Sequence, residues 1–75
     1  MRAEHRPRVR RLRLRCSLFF VDAHLLELNG RWLATVETPQ GPSQGWGRSR
    51  DAALVMALAP FDGIVDELMA SAPPE

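Results

Sequence analysis

Asn29-Gly30, set between the apolar runs Leu25-Leu26-Glu27-Leu28 and Arg31-Trp32-Leu33-Ala34, constrains this chain more than any other dipeptide in it. A two-residue type I′ turn needs positive φ at both central positions, which Asn-Gly adopts readily, so the pattern predicts a β-hairpin over residues 24–37. The turn also sets the register: Leu28 faces Arg31, Glu27 faces Trp32, Leu26 faces Leu33 and Leu25 faces Ala34. One face of the hairpin then collects Leu25, Trp32, Ala34 and Val36, and the other Leu26, Leu28 and Leu33. Both are partly apolar, yet a sheet with helices on one side needs only one apolar face. The second face must meet something, and a second copy of the chain is expected on Leu26, Leu28 and Leu33. Singly exposed leucines, common on monomers, are the alternative.

Upstream the pattern alternates: Arg11, Arg13, Arg15 and Ser17 on one side, Leu12, Leu14, Cys16, Leu18 and Phe20 on the other. A period of two over ten residues predicts a half-buried strand whose arginine stripe is solvent-facing, at the face or edge of the sheet. Downstream, residues 38–43 (TPQGPS) read as a loop by composition, and a short further strand fits residues 44–47. Ser49 stands where a helix N-cap belongs, with Asp51 in the first turn. Leu54, Leu58, Phe61, Val65 and Leu68 then recur at helical spacing over residues 52–69. Pro60 interrupts this face, so a kink or a second helix beginning at Pro60 is expected, and Gly63 weakens the second segment. The fold class is therefore α+β: a three- or four-stranded antiparallel sheet, in β-β-β-α order, covered on one face by a C-terminal helix kinked or broken at Pro60. Residues 1–10 are expected as a flexible arginine-rich arm, 11–70 as a single domain and 71–75 as a frayed tail.

A chain of 75 residues buries only about 60% of the surface its unfolded form exposes, so its core alone is marginal. The single cysteine, Cys16, allows no internal disulfide, which leaves association as the expected supplement. All ten basic residues are arginine, consistent with the codon bias of a GC-rich bacterial genome. Residues 1–15 hold seven arginines against Glu4, and residues 16–75 three arginines against eight acids, so a +6 end is joined to a −5 body. Such asymmetry suggests a basic arm for nucleic acid or another acidic partner. No apolar run reaches the roughly 18 residues of a membrane span, and Arg13 and Arg15 break any export-signal core. A cytoplasmic protein without a membrane partner is expected, its lone thiol reduced.

Candidate chemistry is sparse. His5, His24 and Cys16 are too few and too far apart for a metal site, Cys16 on the apolar side of its strand reads as an inert buried thiol, and no nucleophile is paired with a base. No enzyme, cofactor or metal is expected. Residues 45–58 (GWGRSRDAALVMAL) lack the lysine of a P-loop, and Arg50 occupies the third glycine position of a dinucleotide fingerprint. Gly45 and Gly47 are more simply a close-packed strand end feeding the helix capped by Ser49, although a helix start flanked by Arg48 and Arg50 could also hold a phosphate. Trp46, between the glycines, is a candidate stacking or docking residue.

The pattern Gly45, Gly47, Ser49, Ala52-Ala53 resembles the end of double-stranded-RNA-binding domains, which implies phosphate contact at the helix start, where Arg50 stands. Gly47, Ser49, Asp51, Ala52, Ala53 and Leu54 are similar to the HicB-like antitoxin domain, which likewise begins directly with strands; this resemblance implies an oligomeric, protein-binding role. Two functions are thus expected in rank order. The first is a non-enzymatic protein-interaction or regulatory module, homodimeric through its sheet. The second is a nucleic-acid binder using Arg11, Arg13 and Arg15, with Arg48, Arg50 and Trp46 as further contacts.

Overall fold

The computed structural model describes residues 8–74. Four strands, β1 (Arg8–Arg15), β2 (Phe20–Leu28), β3 (Arg31–Thr38) and β4 (Gly41–Gly47), form an antiparallel meander in the spatial order β1-β2-β3-β4. They are followed by α1 (Arg50–Ala57), a 3₁₀ turn (Ala59–Phe61) and α2 (Val65–Ala70). The Asn29-Gly30 turn has φ of 54° and 79°, and every hairpin pair expected from it is present.

The alternating stretch ends sooner than its sequence pattern. Leu18 and Phe20 do not join Leu12 and Leu14 on the covered face; they are 84% and 55% exposed. The chain reverses at residues 16–19, closed by the Cys16 N–H donating to the Phe19 carbonyl at 2.9 Å, and Arg15 then pairs with Phe20. A reversal resets which parity points inward, so Val21, Ala23 and Leu25 continue the apolar side. Residues 8–10, placed with the arm in the sequence reading, are the first three of β1. The rest of that arm, residues 1–7, lies outside the described residues, as does Glu75.

The stretch 38–43 also differs from expectation. Only Pro39 and Gln40 form the turn: the Gln40 N–H donates to Thr38 Oγ1 at 3.0 Å, and that hydroxyl donates to the Gly41 carbonyl at 2.7 Å. Pro42 is inside β4, opposite Glu37, a position open to proline because β4 is an edge strand.

The helical layer lies on one face. Leu14, Val21, Ala23, Leu25, Ala34 and Val36 from the sheet meet Ala53, Leu54, Ala57, Leu58 and Leu68 in a single buried cluster. Ser49 caps α1, accepting from the Ala52 N–H at 3.0 Å. The apolar face expected over residues 52–69 is present, but the chain makes two helices with the 3₁₀ turn at Pro60 between them, and Gly63 (φ 96°) is a turn residue, not part of a helix. The break is what lets the helical layer span the sheet: α1 packs on β3 and β4, and α2 returns over β1. The last residues are tied down: Ser71 Oγ accepts from the Arg15 N–H at 2.8 Å, and the Pro73 carbonyl accepts from Arg50 Nη2 at 2.7 Å.

Gly45 and Gly47 are where α1 touches the sheet. A Cβ on Gly45 would lie 2.5 Å from the Ala53 carbonyl oxygen and 2.6 Å from Met56 Cβ; one on Gly47 would lie 2.6 Å from the Ala53 nitrogen. All three distances are shorter than Cβ atoms essentially ever show, so α1 sits where these side chains would be. Gly45→Ala should therefore destabilise the fold by about 1–3 kcal/mol through overpacking, seen as a thermal midpoint lowered by several degrees, whereas Gln44→Ala on the exposed side of the same strand should leave the midpoint nearly unchanged.

Candidate functional site

Among the described residues no helix covers the other face of the sheet. Strand parity places Val9, Arg11, Arg13 and Arg15 there from β1, with Phe20, Asp22, His24, Leu26 and Leu28 from β2. Arg31, Leu33, Thr35 and Glu37 come from β3, and Pro42, Gln44 and Trp46 from β4. The register sorts them into rows across the strands. Val9 pairs with Leu26, Leu26 with Leu33 and Leu33 with Trp46, so one apolar row crosses all four strands. Val9 and Trp46 are 69% and 53% exposed; Leu26 and Leu33, in the middle, are half-buried by their neighbours. Leu28 flanks the row on the hairpin side, and Arg31, its cross-strand partner, places its guanidinium 5.6 Å from the Trp46 ring centroid.

The next row is polar: Arg11, His24, Thr35 and Gln44, with Gln44 Nε2 donating to Thr35 Oγ1 at 3.3 Å. Beyond it Arg13 is opposite Asp22, its Nε donating to Oδ1 at 2.9 Å, while its guanidinium lies 4.0 Å from the Phe20 ring centroid. The hydrogen bond from Arg13 holds the Asp22 carboxyl below its ordinary range; desolvation opposes it, and the guanidinium charge adds a smaller lowering. A hollow of about 330 Å³ lies over this corner, lined by Arg11, Leu12, Arg13, Asp22, Ala23 and His24.

The structure brings together Arg11, Arg13, Arg15, Leu26, Leu28, Leu33 and Trp46 on one face, with Arg48 exposed just past the end of β4. Arg50 does not belong with them. Its side chain is 3% exposed, bound to Asp51 Oδ1 at 2.9 Å and to the Pro73 carbonyl. It clamps the C-terminal segment to the start of α1 and cannot present its charge to a phosphate in solution. Cys16, expected buried, is half-buried against the core. Trp32 packs on the core side, as its parity requires.

Sequence reasoning missed Val9, because it stood in the arm, and the alignment of Trp46 with Leu33, because that depends on the two-residue turn at Pro39-Gln40. It also missed that charge is separated by layer: Asp51, Asp62, Asp66 and Glu67 are all exposed on the helical side, while the open face carries four arginines against Asp22 and Glu37. Among the described residues no group of three or more His, Cys, Asp or Glu could hold a metal, and no helix is long and apolar enough to cross a membrane. Set against protein-family models, curated proteins and solved structures, the chain matches none of them.

Two outcomes check this geometry. In an NMR-monitored titration Asp22 should show a midpoint below that of an ordinary aspartate, and Arg13→Ser should return it to the ordinary range. Since the lowered carboxyl belongs to the folded state, the stability that the pair contributes is present above the unfolded-state value and is lost as pH falls through the Asp22 midpoint. Separately, Arg50→Ala should cost about 1.5–3 kcal/mol of stability, the scale of a hydrogen-bonded charge removed from a buried site, and Arg48→Ala almost none, both by thermal melting.

Proposed function

We propose that this chain is a non-enzymatic interaction module that works as a homodimer, with the open sheet faces of two copies packed on each other. The observation that carries this reading is the apolar row Val9, Leu26, Leu33, Trp46, which crosses the full width of the sheet on the side away from the helices. A two-fold axis parallel to the strands lays such a row on its own reverse, so Val9 of one copy meets Trp46 of the other and the two leucine pairs meet at the centre. The polar row behaves alike, Arg11 above Gln44 and His24 above Thr35. Sheets packed this way stand about 10 Å apart and interdigitate their side chains.

Pairing through the face is favoured over pairing through an edge. Arginine occupies five of the eight positions of β1, and β4 carries Pro42; charge and proline on edge strands both discourage strand addition. The face, four strands wide, amounts to roughly 1,000 Å² buried over both copies, near the lower bound for a specific interface. The dimer is therefore concentration-dependent. Light scattering across a concentration series should show the mass rising from 8.4 kDa toward twice that value. Leu33→Glu, which puts a charge in the centre of the row, should keep the protein monomeric with its secondary structure intact. A wild-type chain that stays monomeric at the highest concentration overturns the reading.

A further inference from the structure

β1 is an edge strand with arginine at five of eight positions, far more cationic charge than is needed to block strand addition. Among the described side chains of β1 only Arg13 has a carboxylate partner; Arg10, Arg11 and Arg15 are exposed and make no ion pair. In α2 the Glu67 carboxylate accepts from the Ser17 backbone N–H at 2.7 Å and pairs with none of these arginines. The remaining acids of the helices and the loop between them, Asp51, Asp62 and Asp66, belong to the other layer. We propose that β1 is a docking rail for a single-stranded nucleic acid, its phosphates held around the rim of the sheet by Arg11 and Arg15 from the open face and by Arg10 from the other side of the strand.

Three arguments select this occupant. Arg11 and Arg15 share one face of the strand and are two alternate-residue steps apart, about 13 Å, a span that a flexible strand with one charge on every nucleotide can match along its own length. The rail is straight, about 25 Å long and one strand wide, which suits one phosphate backbone and not the paired backbones of a duplex groove. And the rail ends at the exposed Leu18, Phe19 and Phe20, where an aromatic face gives an unpaired base a stacking surface. From the arginines themselves an acidic protein segment would gain only screened surface ion pairs, each worth little. A nucleic acid gains in addition by releasing its condensed counterions. The hollow lined by Arg11, Arg13, Asp22 and His24 opens on the same face of the sheet. In the face-to-face dimer Arg11 stands above Gln44 of the other copy, so a nucleic acid and the second copy compete for that side chain, while Arg10, on the other side of β1, is outside the interface.

The test is fluorescence anisotropy of short labelled single-stranded DNA and RNA with the full chain. Three or four phosphate contacts predict a binding constant that falls roughly 20–50-fold between about 50 and 200 mM salt. Arg11→Ser with Arg15→Ser should flatten the slope of log K against log salt by about 1.4, two contacts' worth, with an unchanged circular dichroism spectrum; both side chains are exposed, and each single variant should give about half the effect. Arg48→Ser, past the opposite edge strand, should leave the slope unchanged. The proposal is overturned by no binding at the lower salt, by a double variant that binds like wild type, or by an acidic peptide of equal charge binding as tightly. Tighter binding to duplex than to single strand overturns the choice of single strand.

Discussion

The contact between the α1 backbone and Gly45 and Gly47 sets the geometry of the whole molecule. With hydrogen atoms in place of side chains at these two positions, the helix sits directly on β4 and, across it, on the small residue Ala34, which pairs with Gly45. That closeness commits the helical layer to one side of the sheet and to one half of its width. Pro60 then breaks the helix, and the chain turns back so that α2 covers β1, its C-terminal end held by Ser71 on the Arg15 amide and by Arg50 on the Pro73 carbonyl. Both helices are thereby on one side, and among the described residues the other face of the sheet is left open.

The separation of charge has the same origin. The helices face solvent with Asp51, Asp66 and Glu67, and the sheet faces it with arginines, so an almost neutral chain becomes a molecule with an acidic side and a basic one. The two surfaces of the sheet serve different physics. The central row on the open face is apolar and self-complementary under a two-fold axis; the rim at β1 is cationic and regular. The proposed pairing uses the first, and the proposed nucleic-acid contact uses the second.

Much of the fold was legible in local chemistry. Asn29-Gly30 gave the hairpin and its register because positive φ is a property of those two residues, wherever the chain folds. Ser49 gave the helix start because a hydroxyl at an N-cap bonds within one turn. Leu54, Leu58 and Leu68 gave the buried face by spacing alone. Legibility failed where a reversal or a turn was made from residues with no special preference. The turn over residues 16–19 contains neither glycine nor proline, so the alternation ran on through it and put Leu18 and Phe20 on the wrong side. Pro42 imitated a loop because a proline that is disruptive within a sheet is harmless on its edge. Arg50 read as a cation for phosphate because its burial is created by Pro73, 23 residues away.

By itself, then, the sequence determined what each segment is: strand, hairpin, capped helix, broken helix, a basic end and an acidic body. These are short-range matters, governed by backbone preference and by periods of two or about 3.6 residues. Only the tertiary structure decided which residues share a surface. Val9, Leu26, Leu33 and Trp46 are scattered over 38 positions of the chain, and they form one row because three successive turns fix three registers, each of which must be right before the next one counts. Register is a relation between strands, and no single strand contains it.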